Sequence, residues 1–316
     1  MNFEEGLNYH NVYLVPRKTI VSSRKECDTS VKFGPKTFIS PVYPSNMKSV
    51  VNEETCKFLA KRNWFYSMHR FEVDNLSFMN KMMEENLFTS ISVGVKEESY
   101  KSLKEIYEEK LIPDYITLDV ANAWSLQAEK MTKWIKDHFP NTFLIVGNIA
   151  TPDAIQDIVS WGADASKCGI SGGRVCITKN KTGFTFPMVS SIVNCCKEAS
   201  IPIVADGGIV EHGDIAKAIS LGAEMVMAGS LFAGYDESAG SIIEIEDNLY
   251  KEYFGSASKF NKNEKEHIEG KKILIKYRGS MDKLLQELLE DLRSSISYAG
   301  GDKLFYLRNV EKIIVK

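Results

Sequence analysis

The chain has 316 residues, 44% of them hydrophobic, which is enough to bury the core of one large domain or of two ordinary ones. The formal net charge of −3 gives no support to a nucleic-acid-binding surface, because such surfaces usually carry a basic excess. We find no apolar run of about eighteen residues that would span a membrane, and no signal peptide at the N-terminus.

The six cysteines are too few for a disulfide scaffold in a chain of this length. They contain no Cys-x-x-Cys pair, which argues against structural zinc. Their positions are Cys27, Cys56, Cys168, Cys176, Cys195 and Cys196. We therefore predict a reduced, cytoplasmic protein, and in that compartment a lone cysteine can serve as a nucleophile.

Short apolar runs that end in small or polar residues recur along the chain. Their length, their β-branched residues and the bordering Gly or Pro indicate buried strands rather than fragments of helices. The eight predicted strands are 38–47, 63–69, 88–95, 114–121, 142–149, 165–170, 201–209 and 224–232.

Amphipathic stretches separate these strands and predict helices. The clearest are 97–111, 127–139, 151–163 and 212–223. The third begins with Thr151 at the N-cap position and Pro152 at the first helical position, and the fourth is closed by Gly222. Alternating strands and helices require a parallel sheet with right-handed crossovers. Eight such units predict an α/β fold, a (β/α)8 TIM barrel, with a doubly wound open sheet as the alternative.

The predicted strand ends are unusually polar or rich in glycine. They are Asn46, His69, Gly94, Asp119, Asn148, the loop 169–176, Asp206 and Ser230. Because barrel enzymes carry their chemistry at the carboxyl ends of the strands, this pattern indicates function. For His69 we favour a scaffold role over a catalytic one.

After the eighth strand, residues 240–280 are mixed and charged, and 261–272 read as an exposed loop. A helix over 280–300 and a short tail follow. A late loop of this kind is typical of a mobile lid over the top of a barrel, and its plain alternative is a solvated run of charge. We predict a single domain over residues 1–316, with a flap at about 255–280.

Two glycine turns follow the seventh and eighth strands. Asp206 ends a strand and can accept hydrogen bonds from a ribose, while Gly207 and Gly208 leave backbone N–H groups open to a phosphate. Gly229 and Ser230 offer a second set of donors. This is the usual phosphate position in a barrel, although either turn alone would often hold no ligand.

Among the six cysteines, Cys176 is the one that a purely structural role explains least well. Cysteines are commonly buried, and this explains Cys195 and Cys196 on a predicted helix and Cys168 in a strand. Cys176 instead lies in a loop after Ser-Gly-Gly, where open backbone N–H groups would favour the thiolate. The Thr178 hydroxyl, two residues on, can share hydrogen bonds with a leaving group.

The strings "PVYPSNM", "LDVAN", "GNIATP", "GGRVCITK", "VADGGI" and "SSISYAGG" resemble the family of IMP dehydrogenase and GMP reductase over almost the full length. The resemblance implies NADPH-dependent reductive deamination of GMP to IMP, in which Cys176 attacks C2 of the purine and forms a thioimidate. Thr178 and Glu269 would handle the protons of the departing ammonia.

The resemblance also implies the binding residues. For the nucleotide they are Asp206 at the ribose, Gly173, Gly208, Gly229 and Ser230 at the phosphate, and Tyr253, Gly255 and Ser256 at the base. For the nicotinamide side of the cofactor they are Ser92, Gly94, Asp119 and Asn148. A monovalent cation, potassium, would bind the carbonyls of Gly172, Gly173 and Cys176. The loop reads Ser171-Gly172-Gly173 where the family usually has Gly-Pro-Gly, so it lacks the proline. The chain would form a homotetramer, with no nucleic-acid or membrane partner.

Two other functions stay open. An IMP dehydrogenase would oxidise IMP on the same scaffold, but residues 70–89 leave no room for the CBS modules that those enzymes usually insert after the second strand. A catalytically silent barrel that binds purine nucleotides is the second alternative.

Overall fold

The computed structural model describes residues 5–256, 258 and 270–315. The strands are β1 Val12–Leu14, β2 Val31–Phe33, β3 Lys36–Phe38, β4 Val42–Pro44, β5 Ser90–Val93, β6 Tyr115–Asp119, β7 Phe143–Ile149, β8 Ala165–Cys168, β9 Ile203–Asp206, β10 Met225–Ala228, β11 Ile242–Ile245, β12 Asn248–Phe254, β13 Lys272–Lys276 and β14 Lys312–Ile314. The helices are α1 Glu53–Ala60, α2 Asn75–Glu84, α3 Glu97–Glu108, α4 Leu126–His138, α5 Pro152–Ser160, α6 Thr178–Thr182, α7 Met188–Glu198, α8 His212–Ser220, α9 Met281–Tyr298 and α10 Phe305–Arg308.

Seven parallel strands form the central sheet in the order β4-β10-β9-β8-β7-β6-β5. The last strand of the series, β10, pairs with the first, β4, through Val226 and Val42. An open doubly wound sheet would place these strands apart, so this pairing confirms the barrel-like α/β fold.

The predicted second strand, 63–69, is wrong as a regular strand, because the segment has no β-ladder. It nevertheless fills the gap between β4 and β5. The N–H of Met68 donates to the carbonyl of Ser90 at 3.1 Å, and the Phe65 ring lies 4.7 Å from that of Tyr43. The segment is buried and extended, but it makes too few backbone bonds to count as a strand.

Alternate residues of the strands point into the barrel and build its interior. This inner core contains Phe65, Tyr115, Ile145, Ala165, Val204 and Met225. The hairpin of β2 and β3, which the sequence did not predict, closes the bottom with Phe33 and Phe38, whose rings lie 5.3 and 5.2 Å from Phe65. The barrel is therefore filled from below, and its open end is the carboxyl edge of the strands.

The outer core lies between the sheet and its helices. Ile116 and Leu118 of β6 and Leu144 and Val146 of β7 are fully buried there, with apolar residues of α4 and α5. Each fully buried side chain of this size contributes about 1.5–3 kcal/mol to folding. This packing holds the strand ends in fixed positions.

The predicted helices are confirmed within a few residues at each end. Helix α4 is capped by Ser125, whose Oγ accepts the N–H of Ala128 at 3.3 Å. Thr151 does occupy the N-cap of α5, with Pro152 following, but its side chain makes no capping bond. No helix in the described ranges has the length and apolarity needed to cross a bilayer.

A three-stranded antiparallel sheet of β11, β12 and β13 follows the barrel, in a region that the sequence analysis read as mixed and charged. Residues 255–271 connect β12 to β13. Of the predicted exposed loop 261–272, residues 261–269 lie outside the described residues, and Lys272 begins β13. The strands on either side of residues 255–271 thus belong to this small sheet.

Candidate active site

A cavity of about 720 Å³ opens at the carboxyl ends of the parallel strands. Cavities of roughly 300–1,000 Å³ are typical of small-molecule sites. Its lining includes every predicted site residue in the described part of the chain except Ser92. These are Gly94, Asp119, Asn148, Gly172, Gly173, Cys176, Thr178, Asp206, Gly208, Gly229, Ser230, Tyr253, Gly255 and Ser256.

Ser92 and His69 lie behind the cavity wall. Ser92 is fully buried, accepts a hydrogen bond from Asn46 Nδ2 at 3.0 Å and bonds Ser67 at 3.0 Å. Burial, with the nearby Lys48 ammonium, lowers the pKa of His69 to about 4, and its Nδ1 accepts the N–H of Phe71 at 3.2 Å. The scaffold role expected of His69 agrees with this geometry, and Ser92 is joined to the cavity lining through its hydrogen bond with Asn46.

Cys176 lies in the loop that leaves β8 and lines the cavity. Its Sγ is 3.1 Å from Thr178 Oγ1, and its N–H donates to the carbonyl of Gly173 at 3.1 Å. Thr178 is the first residue of the short helix α6, so the turn that begins the helix holds its hydroxyl beside the sulfur. The two residues that the sequence paired are therefore in contact.

Backbone contacts join this loop to the ends of the flap. Cys176 forms an antiparallel bridge with Gly270, and the N–H of Lys271 donates to the carbonyl of Val175 at 2.9 Å. The N–H of Gly255 donates to the Lys271 carbonyl at 3.2 Å. Glu269, the predicted proton-transfer residue, lies outside the described residues, but Gly270 follows it directly in the sequence.

The other cysteines lie away from the cavity. Cys168 is fully buried, and its neighbour Cys195 together with burial raises the pKa of its thiol. Burial raises the pKa of Cys196 to about 12. All six cysteines are described, and Cys176 is the one that lines the cavity.

Four neighbouring strands each contribute one polar side chain to the cavity floor. Lys167 Nζ, on β8, lies 2.9 Å from Asp119 Oδ1 on β6 and 2.9 Å from Asp206 Oδ2 on β9. Asn148, on β7, donates from Nδ2 to the same Asp206 oxygen at 2.8 Å. The Nε of Arg70 donates to the Asp119 carbonyl at 2.9 Å. The floor is thus a connected network of charge.

The charges of this network stabilise one another. Burial alone would raise the pKa of Asp119, yet the Lys167 ammonium and the Arg70 guanidinium hold that pKa below its ordinary value. Burial opposes the charge of Lys167, but the Asp119 and Asp206 carboxylates outweigh it and raise the pKa of the lysine. Asp119 and Lys167 therefore remain oppositely charged at neutral pH.

The glycine turns are packed so closely that side chains would not fit. Gly207 has φ +107°, and a Cβ there would lie 3.0 Å from the carbonyl carbon of Gly172, so the turn after β9 packs on the loop that precedes Cys176. A Cβ on Gly229 would lie 2.2 Å from the hydroxyl oxygen of Tyr253. Burial raises the pKa of Tyr253, which keeps its hydroxyl protonated. The turns and the tyrosine surround a space suited to an anion.

The sequence analysis missed Lys167, Arg70 and Arg174, all of which line the cavity. Lys167 is 2% exposed. Its signal was present, because a lysine inside the buried run "ASKCGI" requires buried carboxylate partners. Arg70 and Arg174 follow directly on residues that were singled out, and only the fold shows that they reach the cavity.

A metal held by side chains finds no support among the described residues, which include no group of three or more His, Cys, Asp or Glu suited to one. The potassium prediction concerns backbone carbonyls instead. The carbonyl of Gly173 accepts the N–H of Cys176, and a carbonyl oxygen has two lone pairs, so one is left for a cation. The loop is thus compatible with such a site.

Comparisons with known proteins agree with this geometry. The sequence model of a family described as IMP dehydrogenase / GMP reductase domain matches residues 6–316. A GMP reductase of Chromobacterium violaceum is 63% identical over 309 residues, which cover 98% of each chain. The GMP reductases of Oceanobacillus iheyensis and Bacillus subtilis are 51% and 50% identical, and each alignment covers 99% of this chain and 97% of the relative.

Proposed function

Since the chain belongs to the IMP dehydrogenase / GMP reductase family, we propose that it catalyses the NADPH-dependent reductive deamination of GMP to IMP and ammonia. One observation carries the proposal. The sulfur of Cys176 lies 3.1 Å from the Thr178 hydroxyl, in the same cavity as Asp206 and the glycine turns. A soft nucleophile, a proton-transfer group and a nucleotide cradle therefore share one space.

The nucleotide would lie across the carboxyl ends of β8, β9 and β10. Asp206 Oδ2 already accepts from Lys167 and Asn148, and no described residue donates to Oδ1, which would accept a ribose hydroxyl. The phosphate would bind the backbone N–H groups of Gly173, Gly208, Gly229 and Ser230. The base would lie against Tyr253, Gly255 and Ser256, above the sulfur of Cys176.

Replacement of the amine at C2 requires a nucleophile that can also act as a leaving group, and a thiolate can do both. Cys176 would attack C2 of the guanine, and the exocyclic amine would leave as ammonia after gaining a proton, which leaves a covalent thioimidate. The Thr178 hydroxyl and Glu269 would relay that proton. NADPH, when bound, supplies the hydride that takes the place of the amine at C2. Departure of the Cys176 thiolate then completes IMP.

The described residues fit a second ligand beside the nucleotide. The cavity continues past Asp119 and Asn148 to Gly94, Lys96 and Glu98, beyond the floor. We assign Asp119, Asn148 and Gly94 to the nicotinamide side, and Ser92 to an indirect role through Asn46. Contacts between the flap ends and the Cys176 loop would help to exclude water from this space.

We further propose that the chain acts as a single catalytic domain over residues 1–316, in a cytoplasmic homotetramer. Residues 70–89, where an IMP dehydrogenase usually carries CBS modules, contain helix α2. Tyr298, at the end of α9, is 59% exposed, and Phe305 and Ile314 are exposed nearby in sequence, which suits a subunit interface. Light scattering on the purified protein tests the oligomeric state.

A bound potassium ion would order the loop through the carbonyls of Gly172, Gly173 and Cys176. Turnover measured in potassium and in sodium buffers of equal ionic strength tests this role. Equal rates in the two buffers would contradict it.

One spectrophotometric experiment tests the reaction itself. Mixing the protein with GMP and NADPH should lower the absorbance of the reduced nicotinamide, with ammonia and IMP formed in equal amounts. Reduction of NAD in the presence of IMP would instead identify an IMP dehydrogenase. Binding of GMP without any consumption of NADPH would identify a silent nucleotide-binding barrel.

A further inference from the structure

Lys167 is a buried charged residue, and the proposed mechanism assigns it no role. It is 2% exposed, and lysine is almost never fully buried unless it is paired. Its ammonium lies between the carboxylate assigned to the ribose and the carboxylate assigned to the nicotinamide side, at 2.9 Å from each. We call the ribose side, with Asp206, and the nicotinamide side, with Asp119, the two half-sites. Among the described residues, Lys167 is the cation that contacts both.

The barrel is built to admit this side chain. Lys167 follows Ala165 by two residues on β8, and Asp206 follows Val204 by two on β9, so both point into the barrel above the inner core. Gly147 of β7 is the register partner of Lys167, and a Cβ there would lie 2.3 Å from the Cβ of the lysine. The neighbouring strand thus leaves the space that the lysine fills.

We propose that Lys167 is a positioning residue that orients Asp206 for the nucleotide and Asp119 for the cofactor, and so couples the two half-sites. The inference rests on the proposed function, because it uses the ligands assigned to those carboxylates. Lys167 acts through the two aspartates and not on a reacting atom.

The physical reason is charge compensation. One oxygen from each aspartate lies within hydrogen-bond distance of the same nitrogen, so without Lys167 two carboxylates would face each other in a largely buried place. Removing one partner of a buried ion pair leaves an uncompensated charge, which disturbs a site far more than lost packing alone. Asp119 keeps the Arg70 guanidinium, whose Nε lies 3.8 Å from Asp119 Oδ2, but the two carboxylates would repel each other and leave the positions in which they accept their ligands.

The test is a double-mutant cycle on GMP binding, measured by calorimetry without cofactor. Lys167→Met keeps most of the side-chain volume and removes the charge. We expect it to weaken GMP binding by about tenfold or more, since tenfold corresponds to about 1.4 kcal/mol. In the Asp119→Asn background, where the second carboxylate is gone, the same substitution should cost less than about threefold. Lys136→Met, which removes an ion-paired lysine of α4, is the control and should leave affinity unchanged.

An equal loss of affinity in both backgrounds would overturn the proposal, because it would assign the effect to packing. The coupling between the two half-sites is tested separately, by the KM for NADPH. Lys167→Met should raise the KM for NADPH as well as that for GMP, and an unchanged KM for NADPH would contradict the link between the half-sites.

The outcomes also separate this inference from the proposed function. Wild-type protein that binds no GMP would contradict both. Wild-type protein that consumes NADPH with GMP, beside an unaffected Lys167→Met variant, would contradict only the role of Lys167. If Lys167→Met does not fold, folding of the Lys167→Met/Asp119→Asn protein supports charge compensation, and misfolding of both contradicts it.

Discussion

The floor of the cavity and the loop that carries the nucleophile are held in different ways. The floor takes Asp119, Asn148, Lys167 and Asp206 from four adjacent strands, and side-chain hydrogen bonds join them to one another. Backbone contacts join the loop around Cys176 to Gly173 within it and to the flap ends beside it.

This difference matches what each region has to do. A nucleotide that must be held through several steps needs acceptors fixed before it arrives, and strand ends locked by ion pairs provide them. A sulfur that attacks and then departs needs a support that can adjust. The comparison predicts that floor variants change binding and that loop variants change turnover, and four substitutions test it.

The largest effect should come from Cys176→Ser. Loss of the thiolate should lower kcat by at least about a thousandfold, since removal of a nucleophile abolishes the covalent route. GMP affinity, which depends on the floor, should stay within about threefold in calorimetry. Cys196→Ser, on α7, is the matched control and should keep full turnover. Substantial turnover by Cys176→Ser would remove the cysteine from the mechanism.

The second effect concerns the flap. Glu269→Gln should lower kcat by about a hundredfold, because a proton-transfer group contributes that much or more, while GMP binding changes little. Steady-state assays with GMP and NADPH measure it. Unchanged turnover in this variant would mean that another group protonates the leaving ammonia.

A floor variant should show the opposite pattern. Asp206→Ala should raise the KM for GMP by roughly 10- to 150-fold, since a charged hydrogen-bond acceptor contributes about 1.5–3 kcal/mol. Its kcat at saturating GMP should fall much less. Asp291→Ala, an exposed carboxylate that pairs with His212, serves as the control. A Michaelis constant equal to that of the wild type would place the ribose elsewhere.

The smallest effect tests the attachment of the loop to the flap. Lys271→Pro removes the backbone N–H that donates to Val175, and one such bond contributes about 0.5–1.5 kcal/mol. We expect kcat to fall by roughly three- to tenfold at an unchanged affinity for GMP. Lys271→Ala keeps the N–H and should behave as wild type. Equal losses in both variants would point to the side chain and not to the backbone bond.

The sequence predicted the regions that follow regular patterns. Alternating apolar runs indicated the barrel, and the polar strand ends indicated Asp119, Asn148 and Asp206. The Cys176 loop was recognised because glycines and a cysteine in a loop are unusual together. Each of these signals is local in the chain, so periodicity and turn chemistry were enough.

Long-range contacts explain what the sequence did not predict. Lys167 makes sense only beside two aspartates on other strands, so its own neighbours in the chain gave a weak signal. The sheet of β11–β13 exposes Ile242, Ile245 and Leu249 among charged residues, which blurs the alternation of apolar and polar positions. Residues 63–69 read as a strand because they are apolar, and only the backbone pairing shows that they are not.

The most direct test of the account is the covalent state of Cys176 during turnover. Protein incubated with GMP, quenched in acid and digested should yield the Cys176 peptide with an added mass equal to GMP less ammonia. That adduct should disappear when NADPH is added before the quench. An adduct on a different side chain, or turnover of GMP with no adduct on any cysteine, would contradict the mechanism.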